Sequence, residues 1–270
     1  MMVLNITKNN DDFYRNLFCN NPPLIDYGKE IIEGILKEQD KFISNNPIFN
    51  EDRERYLLNS INFSLKIAID EDCLSSFFRI IFLTINISDR IMSLSRKVYK
   101  EKELQLIYFS SVIIAGKFEA RASIDYSFYE KKIRESLISK NEIIEYEKKI
   151  NQLLNYEYNI VFPTELLHIY QLVDKTAGNK KLGRYCTFLF IFIMFCKSFM
   201  SQKLSLVVLT IYYFSKITIE KKMEWSYDLQ LISGYDKKTI MNNINKLKFE
   251  IDNKDILYIF LFKHYYFLIN

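Results

Sequence analysis

The chain has 270 residues, 49% of them hydrophobic and 26% charged, which suits a globular protein of one large or two medium domains. The net charge of +4 is spread along the sequence and gives no reason to expect a nucleic-acid or membrane partner. Glycine (6) and proline (4) are scarce. Because turns and strand bends need these residues, we expect an all-α protein of helices joined by short polar connections.

Metal-ligating residues are few and scattered. The cysteines and histidines are Cys19, Cys73, Cys186, Cys196, His168 and His264. A structural zinc site needs four soft ligands at clustered spacing, so we predict reduced, buried cysteines and no metal or other cofactor. The sequence also has no glycine-rich phosphate loop, Gly-x-Ser-x-Gly or His-Glu-x-x-His motif, so we predict no enzymatic activity.

Two long apolar stretches, residues 186–196 and 204–215, could be mistaken for membrane spans. Each is shorter than the roughly 20 residues that a helix needs to cross a bilayer. Polar residues and lysines separate them. We therefore predict that both are buried core helices.

The first half begins with a polar segment, residues 1–25, which we predict to be a flexible leader. An N-terminal helix is predicted within 26–49, where apolar residues recur at helical spacing over 26–44. Asn50 or Asp52 is a candidate cap for the helix that follows.

Three further helices are predicted before residue 160. One runs from about Asp72 to Arg90, and the next, Lys102 to Lys117, is apolar nearly all round and therefore central. Ser139 and Glu142 form a capping-box pattern that opens the third. We assign residues 50–160 to a first domain.

The pattern then begins again, and residues 161–270 are predicted to form a second domain ending in a C-terminal helix. Helices are expected at 164–173, 183–199, 201–216, in a short segment ended by Gly234, and at 237–249. Leu104-Gln105-Leu106 is followed by Gly116-Lys117 much as Leu204-Ser205-Leu206 is followed by Ser215-Lys216. This order and spacing indicate two copies of one helical unit.

Lys117 and Glu147 are unusual because each lies in a segment that otherwise resembles a core-facing helix. One cation and one anion held together at a surface rich in apolar groups suit docking onto another protein better than small-molecule chemistry. The second half has no carboxylate at the position that matches Glu147. We therefore expect only the first half to carry such a pair.

Several segments across residues 26–250 match known motifs in order. Asn86-Ile87-Ser88-Asp89-Arg90 resembles an Asn-x-x-Asp-Arg-Phe segment, and Leu104-Gln105-Leu106 through Ala115-Gly116-Lys117-Phe118-Glu119 resembles a Leu-Gln-Leu to Ala-Ser-Lys-Phe-Glu helix. Further similar segments are Asp26 to Ile31, Leu153 to Tyr158, Trp225, and Ser233-Gly234-Tyr235. This ordered series resembles the A/B-type cyclins. The resemblance implies two tandem five-helix cyclin boxes, with the N-terminal helix packed on the first.

The cyclin resemblance also implies a function without catalysis: binding and activation of a cyclin-dependent Ser/Thr protein kinase at a cell-cycle, mitotic, transition. It implies a heterodimer with that kinase, contacts with substrates or inhibitors, and a location in the nucleus and cytoplasm. The kinase-binding positions that it implies are Lys117, Glu147, Phe118, Ile114, Tyr156, Tyr27 and Ile31.

The substrate-docking patch of the family is only partly matched. Its Met-Arg-Ala-Ile-Leu helix and downstream Trp are best placed on Glu54 to Leu58 and on Ile61, with Ser64 where an acid is expected. The candidate patch residues are Arg55, Leu57, Leu58, Ile61, Leu104 and Gln105.

A second hypothesis is a general-transcription adaptor, which also has paired cyclin-like boxes but binds DNA and polymerase. Such a protein should begin with a zinc ribbon and carry a strongly basic face. The sequence shows neither feature.

Overall fold

The computed structural model describes residues 30, 32–39, 51–70, 76–95, 99–119, 138–221 and 224–265. This part of the chain contains helices and no strand, so the predicted all-α class is confirmed. Residues 30 and 32–38 are helical. The helices after them are α1 (Glu51–Asp70), α2 (Phe77–Ser95), α3 (Glu101–Glu119), α4 (Lys140–Leu153), α5 (Pro163–Val173), α6 (Lys180–Ile193), α7 (Lys197–Met200), α8 (Leu204–Glu220), α9 (Tyr227–Ser233), α10 (Lys237–Asn253) and α11 (Asp255–Tyr265).

The chain divides into two compact units. The N-terminal unit comprises residues 42–160, and the C-terminal unit comprises residues 161–270 together with those before 42. In the N-terminal unit, α3 packs against α1, α2 and α4, and its residues from Leu104 to Gly116 are almost all buried. The prediction that this helix is central is confirmed. The described residues of this unit hold four helices of the expected five, and 120–137 lie outside them.

The C-terminal unit is built round α8, which packs against α5, α6 and α10. Aromatic side chains fill its core, including Phe188 and Phe192 from α6 and Tyr212 from α8, all fully buried. Helix α11 packs on α6. The two units therefore share one arrangement, a buried apolar helix surrounded by others, which is what the sequence repeat predicts.

Local signals begin and end several helices as expected. Ser139 Oγ accepts a hydrogen bond from the Glu142 backbone N–H at 3.2 Å, and the Glu142 carboxylate accepts one from the Ser139 N–H at 2.8 Å. This confirms the capping box. Pro163 occupies the first turn of α5, and Gly234 ends α9 with a φ of 74°, a left-handed conformation that glycine adopts without strain.

The helix predicted over 183–199 is interrupted in the structure. The backbone N–H groups of Met194, Phe195 and Cys196 each bond to the carbonyl three residues earlier, which tightens the end of α6 before α7 begins at Lys197. All three residues are buried. This break could not be predicted, because residues 188–196 are all apolar and none of them marks a helix end.

The N-terminal helical segment differs in position from the expectation that it packs on the first cyclin box. Gln39, at its end, accepts a hydrogen bond through Oε1 from the backbone N–H of Ser205 at 2.7 Å. Ser205 lies in the first turn of α8, so this segment belongs with the C-terminal unit. The same Gln39 side chain donates to the Leu36 carbonyl at 2.7 Å. Gln39 therefore connects the end of one helix with the start of another.

The long apolar stretches are core helices, as predicted. Among the residues described, none of the helices combines the length and hydropathy that a bilayer crossing requires. Cys186 and Cys196 are reduced and buried, and burial raises the pKa of the Cys186 thiol to about 12. Cys19 and Cys73 lie outside the described residues.

Candidate protein-docking surface on the N-terminal unit

Lys117 and Glu147 form an ion pair, with 2.6 Å between Lys117 Nζ and Glu147 Oε1. Lys117 lies in the last turn of α3, where a cation also interacts favourably with the helix dipole, and Glu147 projects from the middle of α4. The Lys117 side chain is 38% exposed and that of Glu147 is 12% exposed. The structure therefore brings these two predicted residues together at the surface of one unit.

Aromatic side chains adjoin this pair. Phe118, the next residue after Lys117, is 48% exposed and packs edge-on against Tyr158, with ring centroids 5.9 Å apart. Tyr158 itself is buried, and its hydroxyl donates to Asn151 Oδ1 at 2.5 Å. Burial, with a smaller contribution from the Glu147 charge, raises the pKa of Tyr158 to about 12. Tyr158 therefore packs against Phe118 with its hydroxyl group neutral.

Tyr156 is the most exposed large side chain of the segment that follows α4, with 66% of its surface accessible. Asn155 and Tyr156 both adopt left-handed backbone conformations, with φ of 49° and 57°. This conformation is common for asparagine but costly for a bulky aromatic residue. The Tyr156 N–H bonds to the Asn151 carbonyl at 3.0 Å, which helps to fix the turn. The fold therefore presents Tyr156 to solvent in a strained conformation, which is a frequent property of binding residues.

Two arginines of α2 hold the ends of neighbouring elements near this surface. Arg79 Nε lies 2.6 Å from Glu119 Oε2, and the Glu119 side chain is only 7% exposed. Arg90 donates to the Glu157 carbonyl at 2.8 Å. These contacts fix the C-terminal end of α3 and the turn after α4, so the surface is held rigidly before any partner arrives.

Not every predicted kinase-binding residue lies on this surface. Ile114 is only 4% exposed and packs in the core, because α3 is surrounded by α1, α2 and α4 over nearly all of its length up to Gly116. Ile114 is therefore a core residue in the structure. Tyr27 and Ile31 lie outside the described residues. Leu153, which we did not predict, is 49% exposed at the end of α4 and adds apolar surface to this unit.

The candidate substrate-docking patch needs correction. Leu57 and Ile61 are fully buried and Leu104 is 3% exposed, so these three residues form core contacts rather than a surface. A pocket of about 200 Å³ does lie between α1 and α3, with Arg55 and Gln105 in its wall. Leu58 is half-buried and does not line it. The other lining residues are Tyr56, Asn59, Ser60, Phe63, Glu101, Tyr108, Phe109 and Val112.

Placing the family motif two residues earlier on α1 agrees better with this burial. Arg53, rather than Arg55, is the buried arginine of this helix: it is 2% exposed and forms two hydrogen bonds with the Asp89 carboxylate, at 2.9 and 3.3 Å. If the arginine of the family motif is placed on Arg53, the Trp position moves from Ile61 to Asn59, which lines the pocket. The pocket then has polar groups where the family motif has apolar ones.

The pocket wall is polar at one end and aromatic at the other. Arg55 pairs with Glu101 at 3.0 Å across the entrance, and both side chains are more than half exposed. Deeper in the unit, Tyr108 stacks on Tyr56, with ring centroids 5.3 Å apart. Within the described residues, no group of His, Cys, Asp or Glu side chains is arranged to hold a metal ion.

Comparison with known proteins agrees with this architecture. Residues 78–159 match the N-terminal domain of cyclins. The chain is 25% identical over 171 residues to Cyclin-B1-2 of Arabidopsis thaliana, a match that covers 63% of this chain and 37% of that protein. It is 24% identical to the G2/mitotic-specific cyclin S13-6 of Glycine max, covering 60% and 35%, and 24% identical to Cyclin-B2-1 of Arabidopsis thaliana, covering 62% and 38%.

The helical unit round α3, with a charged pair beside exposed aromatic residues, defines an all-α protein with a candidate docking surface in its N-terminal unit. The matched segment, residues 78–159, contains that pair and the helices that carry it. Residues 78–159 match the N-terminal domain of cyclins, and the chain is similar to B-type, mitotic cyclins. The matches span little more than a third of the length of these three relatives.

Proposed function

We propose that this chain is a regulatory subunit that binds and activates a cyclin-dependent Ser/Thr protein kinase at a mitotic transition, in the nucleus and cytoplasm. The observation that carries the proposal is the Lys117–Glu147 pair, 2.6 Å across, beside Phe118. Similarity to B-type cyclins supports this function over that of a general-transcription adaptor.

The geometry suits the recognition of a helix or an exposed backbone segment. An ammonium group can donate to carbonyl oxygens of a partner, and a carboxylate can accept from its N–H groups. Lys117 keeps 38% of its side chain exposed, and Glu147 holds it in place. Phe118 and Tyr156 are exposed aromatic residues of the kind that supply most of the binding energy at interfaces.

Activation follows if this rigid surface binds one conformation of the kinase more tightly than the other. A kinase requires its Lys–Glu ion pair and its metal-binding loop to be in place together, and the position of one mobile helix controls both. A partner that binds only the active position shifts the population towards it by its difference in affinity for the two states. The cyclin surface needs no catalytic group for this role.

The experiment is co-purification of the full chain with a panel of cyclin-dependent kinases, followed by a kinase assay on a histone-type substrate. We expect the double variant Lys117→Ala/Glu147→Ala to lose both, because truncating buried charged contacts typically costs about 2–5 kcal/mol. The matched control is Glu145→Ala/Lys148→Ala, which removes one charge of each sign from exposed positions of α4.

Circular dichroism and thermal unfolding of each variant show whether it is folded. Loss of binding in the folded double variant, with the control unchanged, supports the proposed function. Kinase binding and activation that are undiminished in the double variant would remove the charged pair from the mechanism.

A further inference from the structure

Helix α11 carries apolar side chains on two faces, and its inner face packs on α6. Tyr258 and Phe262 contact Phe188 edge-on, with ring centroids 5.1 and 5.3 Å from it. The Tyr258 hydroxyl also lies 2.9 Å from that of Tyr185, and Leu261 is fully buried. These contacts fix the inner face of α11 on α6.

The outer face of α11 is exposed in spite of its apolar side chains. Ile256 is 81% exposed, Ile259 is 50% exposed and Phe260 is 40% exposed. These residues are separated by three and four positions and therefore lie along one stripe of the helix. A helix that is apolar all round is normally covered on all sides, so this stripe indicates an interaction surface.

The charges at the two ends of the stripe indicate that a second copy of the chain fits it. Asp255 lies four residues before Ile259 and Lys263 lies four residues after it, and both are exposed. At a rise of about 1.5 Å per residue, each charge is about 6 Å from Ile259 along the helix. A two-fold axis through Ile259 would therefore place Asp255 of one copy opposite Lys263 of a second copy.

We propose that the outer face of α11 is a self-complementary surface on which two copies of this chain associate with antiparallel α11 helices. The apolar stripe supplies the attraction, and two symmetry-related Asp255–Lys263 pairs fix the antiparallel orientation and the register. This association uses only residues of α11, and none of them is among the proposed kinase-binding residues.

The area of this surface predicts how tightly two copies of the chain associate. Helix α11 has 11 residues and is therefore about 16 Å long, so a single pair of helices covers less area than a standard stable interface of about 1,600 Å². We therefore expect a reversible dimer that forms at concentrations of about 10 µM or more.

The test is sedimentation velocity of the full chain, without a kinase, from about 1 to 200 µM, a range centred on the expected dissociation constant. Wild-type protein should shift from monomer to dimer as its concentration rises. Lys263→Glu places a carboxylate opposite Asp255 of the second copy on both sides of the axis, and should raise the dissociation constant about tenfold. Asp255→Lys combined with Lys263→Glu restores opposite charges and should recover the wild-type constant.

The control is Lys246→Glu, which makes the same change of charge at an exposed position of α10 and should leave the dimer unchanged. Ile259→Asp, which brings two carboxylates together at the axis, should give a monomer at every concentration. Circular dichroism identifies any variant that is unfolded.

The proposal is wrong if the wild-type chain is still a monomer at about 200 µM. It is also wrong if the double variant associates no better than Lys263→Glu, or if Lys246→Glu weakens the dimer as much as Lys263→Glu does. Kinase co-purification is measured on the same variants. If the proposed kinase function is wrong, the dimer and its charge dependence are still expected.

Discussion

Lys216 and Asp174 form a buried ion pair in the C-terminal unit, at the repeat position that Lys117 occupies in the N-terminal unit. The two side chains are 9% and 8% exposed, and the Tyr212 hydroxyl donates to the same Asp174 oxygen at 2.6 Å. Burial, with the hydrogen bond to Asp174, raises the pKa of Tyr212. The C-terminal unit therefore also carries a charged pair, which the sequence analysis did not predict. This pair is buried, and its carboxylate comes from the end of α5 and not from the counterpart of α4.

The two lysines should differ sharply in their effect on stability. Lys216→Met leaves the buried Asp174 carboxylate without its cation and should lower the free energy of unfolding by about 3–5 kcal/mol. Lys117→Met should lower it by less than about 1 kcal/mol, because the Lys117 side chain is 38% exposed and solvent screens its charge. Urea unfolding followed by circular dichroism measures both values.

The single tryptophan gives a selective probe for this comparison, because Trp225 packs edge-on against Tyr213 of α8 at 5.2 Å. Its fluorescence follows the unfolding of the C-terminal unit. Exposed Lys246, also in that unit, is the matched control, and Lys246→Met should change little. Equal losses in Lys216→Met and Lys246→Met would show that the buried pair contributes no more than a surface charge.

Local signals explain why much of the fold could be predicted. The Ser139–Glu142 capping box and Gly234 act on backbone atoms within a few residues of themselves, so their effect does not depend on the tertiary structure. The apolar segments that carry Lys117 and Glu147, together with the family resemblance, predict a charged pair, and the structure brings the two side chains to 2.6 Å. Neither periodicity nor spacing alone would have shown that contact.

The position of the family motif on α1 could not be predicted, because the residue that identifies the buried arginine is distant in the sequence. Arg53 and Arg55 are two residues apart in a segment where either fits an amphipathic helix. Only Asp89, which lies 36 residues after Arg53, identifies Arg53 as the buried arginine. Similarly, nothing near Gln39 in the sequence indicates Ser205, which is 166 residues away. The partners of Arg53 and Gln39 are too distant in the sequence for either contact to be predicted from it.

Gln39 should stabilise the C-terminal unit through the start of α8. The residue before α8, Lys203, makes no side-chain cap, so Gln39 supplies an acceptor for the Ser205 N–H. Ser205 is only 2% exposed, so Gln39→Ala leaves its N–H buried without this acceptor. The substitution should lower the free energy of unfolding by about 1–3 kcal/mol. Urea unfolding followed by Trp225 fluorescence measures the loss.

The control for this prediction is Lys37→Ala, an exposed residue of the same helical segment. It removes a comparable length of side chain but no contact with α8 that the structure shows. A Gln39→Ala variant as stable as Lys37→Ala would mean that solvent or another group replaces the glutamine without cost.

The polar pocket between α1 and α3 should not bind Arg-x-Leu peptides. Phe63, Phe109 and Val112 form one part of the pocket wall. Arg55, Asn59 and Glu101 place polar groups in the other part, where an apolar wall is needed to hold a leucine side chain. Fluorescence anisotropy should show no binding of a labelled peptide up to about 1 mM protein. The variant Arg55→Ile/Asn59→Trp restores apolar groups worth about 1.5–3 kcal/mol each and should gain affinity by more than tenfold.

Asn62→Trp is the control, because this residue also lies on α1 but does not line the pocket. It should remain without affinity for the peptide. Tight peptide binding by the wild-type chain, or an equal gain in peptide affinity in Asn62→Trp, would contradict the placement of the motif arginine on Arg53.

The capping box of α4 should make the N-terminal unit sensitive to acid. The Lys102 hydrogen bond, with those from the Ser139 backbone and hydroxyl, lowers the pKa of Glu142 to about 2. A carboxylate with a depressed pKa in the folded chain stabilises it fully above the unfolded pKa of about 4.3, and this stabilisation is lost as the pH falls from there towards 2. Carbon-detected NMR of the Glu142 carboxyl measures its titration.

Two variants separate the causes of this shift in pKa. Lys102→Met removes the largest cause and should raise the Glu142 pKa more than Ser139→Ala, which leaves the backbone hydrogen bond in place. Glu142→Gln should lose less stability than the wild type between pH 4.5 and pH 2, since the amide does not titrate. A Glu142 that titrates at its ordinary value, in the wild type as in Lys102→Met, would show that the 2.6 Å contact between Lys102 Nζ and Glu142 Oε1 does not persist in solution.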